Sequence, residues 1–144
     1  MKKILLLTTL LLTICSCGAW AEGYNYVTST ELRDLLQNNQ VVSILDIQYE
    51  EAYKALHFPQ AIATYAYPVK TAASRAQINA KLSGLQASGP VVITSRRGGG
   101  GAMRGFDHLK TKGIVAQRLF ILRKGMQAWP YPDMVISTKL DPPN

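Results

Sequence analysis

Val91-Val92-Ile93-Thr94-Ser95-Arg96-Arg97-Gly98-Gly99-Gly100-Gly101 runs the most apolar strand pattern of the chain beyond its N-terminal stretch straight into a basic, glycine-rich turn. A helical pattern carrying Met103, Phe106 and Leu109 follows at once, and Gly113 closes it in the usual left-handed position. Glycine takes left-handed angles without steric cost, so a run of glycines at a strand-to-helix junction turns several N–H groups toward one point. With a helix N-terminus behind and two arginines beside, Ser95 to Ala102 offers an oxyanion a natural seat. The competing reading is a flexible turn, because ordering four glycines carries a large entropic cost. Dinucleotide and P-loop readings fail, since no placement of G-x-G-x-x-G fits and G-x-x-x-x-G-K is absent.

Outward from this junction, strand-like runs alternate with helical ones, the order that builds a parallel sheet covered by helices. Thr28 and Glu31 stand at capping-box spacing, and Leu32, Leu35 and Leu36 follow at helical spacing; Asn38 and Asn39 end that helix. Val41 to Leu45 predicts a buried strand whose polar end, Asp46, emerges at the carboxyl edge of the sheet. Glu50 to Leu56 predicts a short helix that Pro59 forbids from continuing. A strand over Ala61 to Thr64, an extended Tyr65 to Pro68, a helix from about Ala72 to Leu85 and a turn at Ser88-Gly89-Pro90 come next. Leu119 to Leu122 supplies the last strand and Gly125 to Trp129 a last short helix, stopped by Pro130. Residues from Met134 on, with Pro142 and Pro143, predict a loosely held tail.

The two cysteines, Cys15 and Cys17, both fall in an N-terminal stretch with the pattern of an export signal: Lys2 and Lys3, an apolar run to Ile14, then Ala19-Trp20-Ala21. Cleavage after Ala21 gives a signal peptide over 1–21, a domain over 22–136 and a flexible tail over 137–144, placed in the periplasm. The alternative is a lipoprotein acylated on Cys17, the one route to a membrane. The exported chain then holds no thiol and has room for one core without disulfide staples. Setting Lys2 and Lys3 aside from the 16 basic residues leaves 14 against 9 acidic, a net of +5. Such a surplus favours anionic partners in general. Nucleic acid is not indicated, because the basic residues are scattered and no stacking motif accompanies them. With two separated histidines, His57 and His108, and no thiol, no metal cluster can be assembled, and no cofactor is called for.

Leu45-Asp46-Ile47-Gln48 followed by Glu50-Glu51-Ala52-Tyr53, then His57-Phe58-Pro59-Gln60-Ala61-Ile62, then Leu122 to Trp129 resemble, in order and spacing, three elements of the rhodanese-like domains. The resemblance runs from Tyr26 to about Pro132. It implies an α/β fold, a five-stranded parallel sheet flanked by helices on both faces, in agreement with the alternation above. It also implies that the residue after the central strand is, in active relatives, a cysteine that accepts a sulfur atom as a persulfide. A thiolate works there because N–H groups, a helix N-terminus and nearby Arg or Lys lower its pKa.

This chain departs from that pattern at Ser95. A hydroxyl is far less acidic than a thiol, and a serine nucleophile needs an adjacent base. A second departure is Gln48, where many relatives carry Arg. A third is length: from Ser95 to Gly113 the chain is one residue longer than in the usual sulfurtransferases, and phosphatases of the same fold use a longer loop to fit phosphate. The expectation is therefore a protein without thiosulfate sulfurtransferase activity whose loop (Ser95, Arg96, Arg97, Gly98, Gly99, Gly100, Gly101, Ala102) binds a small oxyanion such as thiosulfate, sulfate or phosphate, or docks an acidic or thiol-bearing protein. Asp46, Gln48 and Arg123 support it from neighbouring strand ends. The rival is an enzyme, either a sulfurtransferase borrowing another molecule's thiol or a phosphate- or arsenate-handling one. Tyr53, Phe58, Tyr65, Tyr67, Trp129 and Tyr131 read as packing.

Overall fold

A computed structural model describes residues 23–138. Five parallel strands, β1 (Tyr26–Val27), β2 (Ser43–Asp46), β4 (Ile62–Ala63), β5 (Val91–Thr94) and β6 (Leu119–Leu122), lie in the order β1-β6-β5-β2-β4. The expected five-stranded parallel sheet is present, with β5 at its centre. Its register pairs Asp46 with Thr94, so β2 and β5 end side by side.

Alternation along these short strands divides the apolar residues between two cores. Leu45, Val91, Ile93, Leu119 and Ile121 face one side with Ile78 of α3 (Ala72–Asn79) and Phe106 and Leu109 of α4 (Gly100–Thr111). Ile44, Val92 and Leu122 face the other side with Leu32 of α1 (Ser29–Gln37), Phe58 and Met126. Every one of these side chains is almost wholly removed from water. Both faces of the sheet are thus covered, which a parallel sheet requires.

α1 starts as its sequence dictates: the Thr28 hydroxyl accepts from the Glu31 N–H, and the Glu31 carboxylate accepts from the Thr28 N–H. Several boundaries differ from expectation. The second strand begins at Ser43, and Val41 is 51% exposed, because Val41 lies outside the ladder. α3 stops at Asn79 and a 3₁₀ turn, Leu82–Gly84, replaces its predicted end, with Leu82 and Leu85 folded onto the core. The segment after β4 is not extended, since Tyr65 and Val69 take positive φ of 55° and 61°. The last helix shrinks to a 3₁₀ turn, Met126–Ala128.

The predicted loose tail is corrected at its start. Ile136–Ser137 forms β7, antiparallel to β3 (Leu56–His57), and the Thr138 N–H donates to the Ala55 carbonyl after α2 (Glu50–Ala55) at 3.1 Å. Two unpaired backbone edges meet there and satisfy one another, a cause no local pattern announces. The rest of the tail and the expected export segment lie outside the described residues. Within them, no helix is long and apolar enough to cross a membrane.

Candidate functional site

The loop after β5 turns back on itself under the control of a second turn. The Ser95 carbonyl accepts from the Met126 N–H at 2.9 Å and the Arg96 carbonyl from the Gln127 N–H at 3.1 Å, so both oxygens are drawn away from the loop's concave side. Gly125 makes that approach possible. Its φ is 65°, and a Cβ there would strike the carbonyl oxygens of both Ser95 and Arg96. Gly98 answers it from the loop with φ 66° and a Cβ position that falls on the Leu122 carbonyl oxygen, 3.1 Å from the Gly125 nitrogen. Only glycine fits at either place.

Ser95 is 2% exposed, and its Oγ accepts from the Gly98 N–H at 3.0 Å. With the carbonyls turned out, the N–H groups of Arg96, Arg97, Gly99 and Gly100 donate to no acceptor among the described residues. α4 begins at this point without a side-chain cap, so its positive end also faces the loop. The four glycines are therefore not one loop. Gly98 and Gly99 precede the helix while Gly100 and Gly101 form its first turn, where N–H groups need no internal acceptor.

A cavity of ≈ 330 Å³ opens in front of the loop, lined on one side by Ser95, Arg96, Arg97, Gly99 and Gly100 and on the other by Gln48, Tyr49, Ala52 and Tyr67. Tyr49 and Tyr67 meet edge to face with centroids 4.9 Å apart. The Tyr67 ring lies directly on Gly101, where a Cβ would sit 2.5 Å from its Cε2, and the Tyr67 N–H donates to the Ile47 carbonyl at 2.8 Å. Gln48 is 3% exposed and tightly held. Its backbone N–H donates to Asp46 Oδ1 at 2.8 Å, and its side-chain Nε2 donates to Asp46 Oδ2 at 3.1 Å and to the Leu56 carbonyl at 3.0 Å.

Asp46 is completely buried beneath Gln48. Loss of hydration pushes its pKa up to about 6, against the pull of the Gln48 hydrogen bonds and, more weakly, of the Thr94 hydroxyl and His57. The Thr94 Oγ1 nevertheless sits buried without a partner in hydrogen-bond geometry among the described residues.

A strand-to-helix loop on the central strand of a five-stranded parallel sheet agrees with what comparison with known proteins finds. The family model of the rhodanese-like domain matches residues 28–130. The chain belongs to that family. No curated protein matches it. Among solved structures it is similar to the As-Sb reductase from Leishmania major, with 20% identity, TM-score 0.61, and 83% of this chain and 89% of that one covered. It is also similar to a yeast protein tyrosine phosphatase of the rhodanese family, with 17% identity, TM-score 0.58 and coverages of 74% and 83%. A thiosulfate sulfurtransferase from Pseudomonas aeruginosa gives 18% identity and TM-score 0.58, covering 80% of this chain and 20% of that one.

In this rhodanese-like domain Ser95, Arg96, Arg97, Gly99, Gly100 and Gln48 come together around the cavity. Gly98 and Gly101 shape the wall from behind, and Ala102 is buried in the core rather than in the loop. Asp46 supports Gln48 and does not reach the cavity. Arg123 is not brought to the site, because its guanidinium lies 5.1 Å over the Tyr26 ring at the β1 edge. His57 contacts the Tyr53 carbonyl through Nδ1 at 2.6 Å and stacks on that ring, and His108 contacts Asn79 Oδ1 at 2.8 Å. Neither touches Ser95. Among the described residues no group of His, Cys, Asp and Glu is placed to hold a metal. Sequence reasoning missed Tyr49 and Ala52 and assigned Tyr67 to packing. Adjacency of Tyr49 to Gln48 at the end of β2 was the available signal for one of the three.

Proposed function

We propose that this is an exported, periplasmic rhodanese-like protein that lacks thiosulfate sulfurtransferase activity and uses the Ser95–Gly101 loop to hold a small oxyanion. Ser95 stands where active relatives carry the sulfur-accepting cysteine. Its oxygen is too basic to persist as an anion, and an oxygen bearing a sulfane sulfur is an unstable arrangement rather than a carrier. Ser95 Oγ accepts one hydrogen bond, from a backbone N–H, and no base hydrogen-bonds to it among the described residues. Serine-based covalent catalysis needs such a base.

The observation that carries the binding reading is the outward pull on two carbonyls by Met126 and Gln127. It leaves four backbone N–H groups, a helix N-terminus and two exposed arginines around one cavity, and donors fixed in advance cost little reorganisation when an anion enters. A rival enzyme that attacks through Ser95 would need a proton acceptor on its Oγ, and none hydrogen-bonds there among the described residues.

The purified protein is expected to form no thiocyanate from thiosulfate and cyanide above a boiled control, and Ser95→Cys to gain measurable turnover. Titration with thiosulfate, sulfate or phosphate is expected to shift the amide signals of residues 96–100 saturably. Turnover by the native chain overturns the loss of activity, and an unresponsive loop turns the reading toward a protein-docking surface.

A further inference from the structure

We propose that Gln48 makes this pocket selective for oxyanions that keep a proton, above all phosphate monoesters with a flat apolar body, over those that keep none, such as sulfate esters and thiosulfate. The inference rests on the oxyanion reading above and concerns the choice among oxyanions.

Three facts about one side chain carry it. Gln48 is 97% removed from solvent yet lines the cavity. Both hydrogens of its amide are engaged on the far side, by Asp46 Oδ2 at 3.1 Å and by the Leu56 carbonyl at 3.0 Å. Leu56 offers only a carbonyl oxygen at that place, so a flipped amide would set oxygen against oxygen, and the orientation is fixed by chemistry. The Oε1 is then the atom left over. It accepts no hydrogen bond among the described residues, and it is not among the enclosed atoms that lack a partner, so its open side is the cavity.

The pocket thus presents donors from the loop and, opposite, the Gln48 amide oxygen, an acceptor that unlike the Ser95, Tyr49 and Tyr67 hydroxyls has no proton of its own to turn. An oxyanion without a proton satisfies the donors but turns a lone pair toward Oε1, which leaves a desolvated acceptor unpaired. An oxyanion that retains an OH satisfies both walls. Phosphate monoesters keep one proton below a second pKa of about 6, whereas sulfate esters keep none at any pH near neutrality. Size argues for an ester rather than a bare ion: ≈ 330 Å³ is about eleven water volumes at ~30 Å³ each. Tyr49, Ala52 and Tyr67 give the remainder an apolar, largely aromatic boundary.

Phenyl phosphate and phenyl sulfate form a matched pair with the same ring and head shape, and calorimetric titration of the purified protein with each is the test. At pH 5.5 phenyl phosphate is expected to bind about tenfold more tightly, and at pH 8 the preference is expected to shrink to twofold or less as the ester loses its proton. Other groups near Gln48 that carry or can change charge are Asp46 and His57 beneath, Arg96 and Arg97 across the cavity, and Tyr49 and Tyr67 at its side. Phenyl sulfate at both pH values reports their effect, since its own charge stays constant. Gln48→Met is expected to lose the pH 5.5 preference, because phenyl phosphate loses its acceptor and phenyl sulfate no longer faces an unpaired one. Equal affinities at pH 5.5, or a preference that survives Gln48→Met, overturns the inference and leaves the anion pocket standing. Failure of both esters to bind overturns both. Should Gln48→Met not fold, the two-pH comparison on the native chain decides alone.

Discussion

Gly98 and Gly125 differ sharply from Gly99, although Gly98 and Gly99 are neighbours in the chain and all three would read alike in a composition table. Added Cβ atoms at Gly98 and Gly125 run into carbonyl oxygens and start from φ near 65°, whereas a Cβ at Gly99 meets nothing within 4 Å. The first pair lies behind the loop, where two turns are pressed back to back; Gly99 lies in front, facing the cavity. Across the cavity the same division recurs, with Asp46 behind and Gln48 in front. Residues behind set the geometry and residues in front meet whatever enters.

The division breaks if substitutions behind the wall prove harmless. Gly125→Ala combines a left-handed backbone with two carbonyl clashes and is expected to cost about 3 kcal/mol or more, lowering Tm by roughly 10 °C. Gly98→Ala is expected to follow it closely in thermal unfolding monitored by circular dichroism.

Asp46 sharpens the contrast through pH. Its folded pKa of about 6 lies above the ordinary 3.8, so the folded state binds the extra proton and stability falls as pH rises between those values. The difference corresponds to ~3 kcal/mol for this buried group, full below pH 4 and gone above pH 6. Asp46→Asn is expected to remove that fall, which urea unfolding at pH 4, 5, 6 and 7 measures against the native protein.

In front, the expected sign reverses: binding changes and stability does not. Arg96→Ala with Arg97→Ala is expected to weaken phosphate binding about tenfold, from two charge-assisted contacts, with stability within ~0.5 kcal/mol. Gly99→Ala is expected to alter stability by no more than about 0.5 kcal/mol in either direction.

Much of this was readable before any coordinates. Thr28 and Glu31 announced the start of α1 because capping is local chemistry, and Val91–Thr94 announced the central strand because both its faces are apolar. Short elements escaped for an equally physical reason. Tyr26–Val27, Leu56–His57 and Ile136–Ser137 hold two residues each, too few for any periodicity, and exist because a distant edge pairs with them. Gln48 was legible only as a missing positive charge. That its amide hydrogens are consumed by Asp46 and Leu56, turning a lost cation into an acceptor, depends on a strand end and a helix end meeting in space.

Sequence by itself determined the alternating order of strands and helices, the serine at the mouth of the glycine run and the lack of a thiol anywhere beyond Cys17, since each is a property of neighbours along the chain. Tertiary structure alone decided which glycines are obligatory, which aromatic rings form a wall and which way an amide points. Those depend on contacts between separate elements, the two turns at Ser95 and Met126 lying some thirty residues apart in the chain, and only the packed structure brings such groups together.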